Sequence, residues 1–136
     1  MHLPNIHATA AVAMALALLL TALSLQVSRL RLRYRQTWGD GGHRDLIVAI
    51  RTHGNTLEQA MLFIVLLLLT QLAGQRQEVV AVLGCVFVAA RLLYAIAAGL
   101  RRLPLRQLAH AVSVICQLCA VAALGHAVIT SLVRAA

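Results

Sequence analysis

Residues 8–27 form an uninterrupted stretch of 20 residues without a single charged side chain. A helix of about this length crosses the hydrocarbon core of a bilayer, which is roughly 30 Å thick. The whole chain has a mean hydropathy of +0.84, and only 12% of its residues are charged. A soluble domain of this size carries about 25% charged residues. The composition therefore indicates an integral membrane protein that forms one compact unit.

Three more apolar stretches follow the first, and each is long enough for a membrane-spanning helix. We therefore predict an all-α fold, a four-helix transmembrane bundle in a single domain over residues 1–136. A secretory signal peptide is the competing interpretation of the first stretch, but no Lys or Arg precedes it and four arginines follow it. Asp45 directly precedes the second stretch and is predicted to cap its helix. The spans are predicted at about 8–28, 46–72, 79–99 and 106–133.

The arginines are concentrated in the first and third of the three connections between these spans. In the second connection, Arg76 is opposed by Glu78. The positive-inside rule then places connections one and three in the cytoplasm and both termini outside. Bilayer orientation thus explains the net charge of +8 better than nucleic-acid binding does. The arginines concerned are Arg29, Arg31, Arg33, Arg35 and Arg44 in the first connection, and Arg101, Arg102 and Arg106 in the third.

Three polar side chains interrupt the second apolar stretch. Arg51, Asn55 and Glu58 follow one another at i, i+4 and i+7, so they share one face of a helix. A charged side chain near the bilayer centre costs about 2.5–3.5 kcal/mol on insertion scales, and such residues usually face a partner or a cavity. We therefore expect this face to carry the function.

Further arginines in or beside the spans are expected near the same membrane depth. Arg51 lies early in the second span, Arg91 late in the third and Arg106 at the start of the fourth. All three are therefore expected near the cytoplasmic end. Together with Arg31 they would set four positive charges against Glu58, a surplus that an anion with more than one carboxylate would neutralise. The alternative is that Arg51 and Glu58 form an internal pair while Arg91 and Arg106 reach lipid headgroups.

The fourth span carries a second polar stripe, with a spacing that places four side chains on one helix face. We assign no role to the last three of them from the sequence. No pair of histidines has metal-ligand spacing on one face, so no metal site is predicted. The stripe consists of Arg106, His110, Ser113 and Gln117.

Four short motifs, in this order, resemble the MAPEG family, the membrane-associated proteins of eicosanoid and glutathione metabolism. The resemblance covers nearly the whole chain, and the loop at 39–42 is similar to that of the bacterial branch, which implies a bacterial-type inner membrane. The Arg-x-x-x-Asn-x-x-Glu element inside a span is the most specific of the four. The motifs lie at 24–31, 51–58, 90–94 and 104–106.

The resemblance implies a homotrimer that binds glutathione between neighbouring subunits, near the cytoplasmic face. The matching positions imply that Arg106 stabilises the glutathione thiolate. The implied activity is that of a glutathione S-transferase or peroxidase that acts on lipophilic electrophiles or lipid hydroperoxides. The positions that match glutathione-binding residues are Arg31, Arg51, Asn55, Glu58, Arg91 and Tyr94.

Two other functions stay open at this stage. The chain differs from some relatives at Gln59, Ala98, Gln107 and His110, which disfavours a specific eicosanoid synthase and leaves room for a non-catalytic relative that only binds glutathione. A small multidrug transporter is also short and four-spanning, and is built around one membrane-embedded glutamate. A surplus of positive charge is unfavourable for a site that takes cationic drugs.

Overall fold

The computed structural model describes residues 6–135, with side chains for residues 6–133. Within these residues, four helices are long and apolar enough to cross a membrane. The predicted all-α fold with four membrane-spanning helices is confirmed, while residues 1–5 and Ala136 of the predicted single domain lie outside the described residues. The helices are α1 (His7–Tyr34), α2 (Arg44–Leu72), α3 (Gln77–Gly99) and α4 (Leu103–Ala135).

Helix α1 continues to Tyr34, past the predicted end of the first span at about residue 28. The extra turns are rich in arginine and leucine, which are good helix formers, so the helix does not end where the apolar run ends. It ends where Arg35 adopts a left-handed conformation with φ of 52°. The backbone N–H of Gln36 then donates to the carbonyl oxygen of Arg31 over 3.0 Å, which satisfies a terminal carbonyl.

The prediction that Asp45 caps α2 is wrong. The residue at the N-cap is His43, without a capping side-chain hydrogen bond, and Asp45 lies inside the first helical turn. Its carboxylate accepts a hydrogen bond from the hydroxyl of Tyr34, whose ring stacks on His43 at 3.9 Å. The carboxylate therefore ties the end of α1 to the start of α2, a position that the helix dipole also favours.

Helices α2 and α3 form the centre of the bundle, and α1 and α4 flank them. Both flanking helices pack against α2 and α3, but within the described residues they do not contact each other. The core is built around the rings of Phe63 and Phe87, which stack with centroids 3.8 Å apart. Fully buried apolar residues from all four helices surround this pair, among them Leu16, Leu67, Val80 and Ala120.

The up-and-down order of the helices collects most of the arginines at one end of the bundle. This end contains the last turn of α1, the first turn of α2, the last turn of α3 and the first turn of α4. We call it the arginine-rich end. Arg76 lies at the opposite end, where its exposed side chain pairs with Glu78 over 3.5 Å.

Helices α1 and α3 approach closely at Gly84, where a Cβ atom would lie 2.3 Å from Cγ2 of Val12. We expect Gly84→Ala to lower the free energy of unfolding by about 1–3 kcal/mol, because the added methyl group forces the two helices apart. Thermal unfolding in detergent measures the change. Gly125→Ala is the matched control, since a Cβ there has no neighbour within 4 Å. Equal unfolding temperatures of the two variants would contradict the tight α1–α3 contact.

Candidate functional site

The guanidinium group of Arg91 is fully buried between α2, α3 and α4. Its Nε donates to Oγ of Ser113 over 2.9 Å, and its Nη1 donates to Oδ1 of Asn55 over 3.1 Å. The rings of Tyr94 and Phe87 flank it, with their centroids 4.6 Å and 5.9 Å from its central carbon. Three helices and two aromatic rings thus fix one cation in the interior.

Within the part of the chain that the structure describes, no carboxylate neutralises this cation. Among the described residues, the single ion pair within 4 Å is Arg76 with Glu78 at the far end of the bundle. The Nη2 atom of Arg91 is buried and has no hydrogen-bond partner among the described residues. An unpaired charge in a low-dielectric interior costs several kcal/mol, and neutral hydrogen bonds offset only part of this cost. The protein therefore holds a cation that an incoming anion would stabilise.

A polar cleft of about 130 Å³ opens beside Arg91. None of its lining residues is acidic, and Arg106 contributes a positive charge. The Nδ1 atom of His110 is buried without a hydrogen-bond partner among the described residues, and its ring lies 6.2 Å from that of Tyr94. The cleft thus offers a cation and unsatisfied polar atoms to a ligand. It is lined by Asn55, Tyr94, Arg106, Gln107 and His110.

Arg51 and Glu58 lie on the exposed side of α2, outside the polar cleft. Glu58 is about 21 Å along the helix from Arg44, deep in the span. Within the part of the chain that the structure describes, Arg51 and Glu58 do not form the internal pair considered as an alternative. Charges exposed to hydrocarbon at this depth are costly, and such residues usually face a partner or a cavity.

Arg31 is turned toward its own connection. Its Nη1 donates to the backbone carbonyl oxygens of Thr37 and Gly39, over 3.2 Å and 2.9 Å. Because α1 does not contact α4, Arg31 and Arg106 do not meet within one chain. The structure thus brings four of the seven predicted site residues together, namely Asn55, Arg91, Tyr94 and Arg106, and leaves Arg31, Arg51 and Glu58 outside their cleft.

The stripe on α4 does face the interior. Ser113 holds Arg91, and Nε2 of Gln117 donates to the backbone carbonyl oxygen of Gln59 over 3.2 Å. The role of Ser113 was missed at the level of sequence, although its spacing from Arg106 already placed it on the same helix face. The missing information was the identity of its partner on α3.

Comparison with known proteins settles the family. The MAPEG family model matches residues 9–126. The chain belongs to the MAPEG family. Two relatives are both called inner membrane protein YecN, one from Escherichia coli (strain K12) and one from Escherichia coli O6:H1. Each is 42% identical over 61 residues, which cover 45% of this chain and 47% of the relative, so the chain spans about half the length of the curated relatives that it matches.

These matches confirm the MAPEG resemblance and support an integral inner membrane protein. Within the described residues of this MAPEG protein, no group of three His, Cys, Asp or Glu side chains could hold a metal ion. The polar cleft supports anion binding. Arg106 lines the cleft, and the guanidinium group of Arg91 lies behind the lining residue Asn55.

Proposed function

We propose that this MAPEG protein binds glutathione at the polar cleft and acts as a glutathione S-transferase or peroxidase. Its substrates would be lipophilic electrophiles or lipid hydroperoxides that arrive from the bilayer. The observation that carries the proposal is Arg91, a fully buried guanidinium group without a carboxylate partner in the described residues. Arg106 adds a second cation on the open side of the same cleft.

The charges of glutathione are complementary to those of this region. Glutathione carries two carboxylates, and arginine binds a carboxylate through two parallel hydrogen bonds. Its ammonium group would pair with Glu58, whose side chain is exposed and forms no ion pair within the described residues. The buried Nδ1 of His110 and Nη2 of Arg91 are further polar atoms without a hydrogen-bond partner within the described residues.

Glutathione supplies a thiol, which is a strong nucleophile only when it is deprotonated. A free thiol has a pKa of about 8.5 and is therefore mostly protonated at neutral pH. Arg106 would stabilise the thiolate and lower this pKa, and each unit requires about 1.4 kcal/mol of differential stabilisation. Arg106 is half-buried, which strengthens its interaction with an anion relative to bulk water.

A homotrimer would complete the site. Arg51 and Glu58 lie on an exposed helix face inside the membrane, and a second copy of the chain would cover them. Arg31 and Arg106 lie on helices that do not contact each other within the described residues, which favours a ligand bound by both between two copies. With the arginine-rich end in the cytoplasm, both termini would be outside and the site would be near the cytoplasmic face.

Mixed trimers test the shared site. Separately, Arg31→Ala and Arg106→Ala are expected to lose most conjugation of glutathione to an aryl halide. Random mixing of equal amounts leaves one intact site in each mixed trimer, so activity should recover to about a quarter of the wild-type value. Mixtures as inactive as the two parents would show that a single chain supplies both arginines.

Three measurements distinguish the remaining alternatives: glutathione binding, glutathione conjugation and dye efflux. If the protein binds glutathione without conjugating it, and Arg106→Ala leaves this binding unchanged, the protein is a non-catalytic relative. Proton-driven efflux of a cationic dye from proteoliposomes would establish a transporter. The cleft disfavours the transporter, because its lining contains Arg106 and no acidic residue.

A further inference from the structure

A second cavity, of about 160 Å³, lies at the arginine-rich end between the start of α2 and the α3–α4 connection. Half of the residues that line it are arginines from three segments of the chain. We call it the arginine pocket. Its arginines are Arg44, Arg101, Arg102 and Arg106.

The positive charge of the arginine pocket is not balanced by the protein. Within the described residues, none of its arginines forms an ion pair. The nearby Asp45 lines an adjacent cleft together with Arg101. Its carboxylate accepts a hydrogen bond from the hydroxyl of Tyr34. Even if Asp45 is counted, three of the four positive charges remain without a counter-charge.

Helix α3 ends on an arginine in a left-handed conformation, as α1 does at Arg35. Arg101 has a φ of 57°, a left-handed conformation that favours glycine. The next N–H, of Arg102, closes the helix by donating to the carbonyl oxygen of Ala97 over 2.9 Å. Helix α2 ends through the same type of turn, and there Gly74 occupies the left-handed position. At the end of α3 the chain therefore carries a cation where glycine would relieve strain.

The remaining wall of the arginine pocket is apolar. Val48 and Leu103 line it, and the neighbouring Leu100 is 64% exposed. This end of the bundle lies where the membrane spans meet the polar connections. A ligand that matches the pocket needs a compact anionic group joined to an apolar body. An anionic phospholipid has both parts, a phosphate in its headgroup and apolar acyl chains, whereas a free phosphate ion has only the first.

We propose that the arginine pocket binds the phosphate group of an anionic phospholipid in the leaflet at the arginine-rich end. Guanidinium groups bind phosphate oxygens through paired hydrogen bonds, and basic pockets between transmembrane helices bind anionic headgroups. This goes beyond the proposed function, because it requires no glutathione. Since Arg106 lines both the arginine pocket and the polar cleft, the lipid would also help to hold Arg106 in place.

Thermal unfolding of delipidated protein in detergent tests this site. Phosphatidylglycerol and phosphatidylcholine with the same acyl chains are titrated, and inorganic phosphate is titrated separately. We expect phosphatidylglycerol alone to raise the unfolding temperature. The double variant Arg44→Gln, Arg102→Gln should weaken the apparent affinity for phosphatidylglycerol about 30-fold. The control, Arg29→Gln with Arg33→Gln, removes the same charge at the same end from α1, outside the pocket.

Three outcomes would overturn the proposal. Equal stabilisation by phosphatidylglycerol and phosphatidylcholine would show that the protein does not recognise the net charge of the headgroup. Equal losses in the two double variants would show diffuse attraction and no defined pocket. The same stabilisation by inorganic phosphate would assign the pocket to the free ion. If the double variant does not fold, the single variant Arg102→Gln is compared with Arg29→Gln by native mass spectrometry, and equal amounts of retained phosphatidylglycerol would also refute the site.

Discussion

Arg91→Met is expected to abolish glutathione binding and to leave the protein at least as stable as the wild type. Methionine fills a similar volume without a charge, and it removes the cost of holding an unpaired charge in a low-dielectric interior. Binding should weaken at least about 30-fold, which corresponds to about 2 kcal/mol for a lost buried charge contact. Titration calorimetry and thermal unfolding of the same sample measure the two quantities.

Ser113→Ala tests how the orientation of the Arg91 guanidinium group contributes to binding, because it leaves the charge in place. The hydroxyl of Ser113 accepts from Nε of Arg91 and donates to the carbonyl oxygen of Ala109. Its loss frees the guanidinium to rotate, so binding should weaken by less than in Arg91→Met, about fivefold to tenfold. Arg76→Met is the control, since Arg76 is exposed at the opposite end. If Arg91→Met unfolds far more easily yet binds glutathione normally, Arg91 is a structural residue only.

Arg106→Ala is expected to lower the rate of glutathione conjugation at pH 7 by about 100-fold, as is typical when one preorganised group that stabilises a developing anion is removed. Binding should change only a few-fold, because Arg91 remains in place behind the cleft. The pH dependence of the rate shows in which direction Arg106 shifts the pKa of the glutathione thiol. Without Arg106 the thiol keeps its ordinary pKa of about 8.5, so the activity of the variant should rise up to and beyond that pH. The wild type should reach its plateau at lower pH.

Arg76→Ala is the matched control for this experiment. It removes the same charge from the other end of the bundle, where the exposed side chain of Arg76 pairs with Glu78 over 3.5 Å. A parallel fall of rate in both variants would point to net charge as the cause. A pH profile of Arg106→Ala that coincides with that of the wild type would remove Arg106 from thiolate formation.

The four spans could be predicted because hydropathy is a property of each segment alone. Part of the site could be predicted for a similar reason. Arg91 and Tyr94 are three residues apart on one helix, and their cation–π contact at 4.6 Å follows from that spacing. The polar face of α2 was also predictable from the helical spacing of its residues alone. The structure differs in that Asn55 turns inward, while Arg51 and Glu58 remain exposed.

The partners across helices could not be predicted. Asp45 had a local role available as a cap, yet it bonds to Tyr34 from the preceding helix. Ser113 and Arg91 are 22 residues apart, and only the packing of α3 on α4 brings them together. The arginine pocket has the same origin, because Arg44 joins the arginines of the α3–α4 connection only after the bundle has formed.

The fold also explains why one chain carries only part of the proposed site. The central helices α2 and α3, with α4, enclose Arg91 and open the polar cleft. Helix α1 lies on the other flank and directs Arg31 to its own connection. If the chain assembles as proposed, α1 of one copy can approach α4 of the next, which a monomer does not allow.

Titration of glutathione into the detergent-solubilised wild-type protein is the most direct test of an anion site built around Arg91. We predict saturable binding of one glutathione per chain, and no measurable heat for Arg91→Met under the same conditions. Negligible heat in both proteins, or equal affinities in both, would contradict the account.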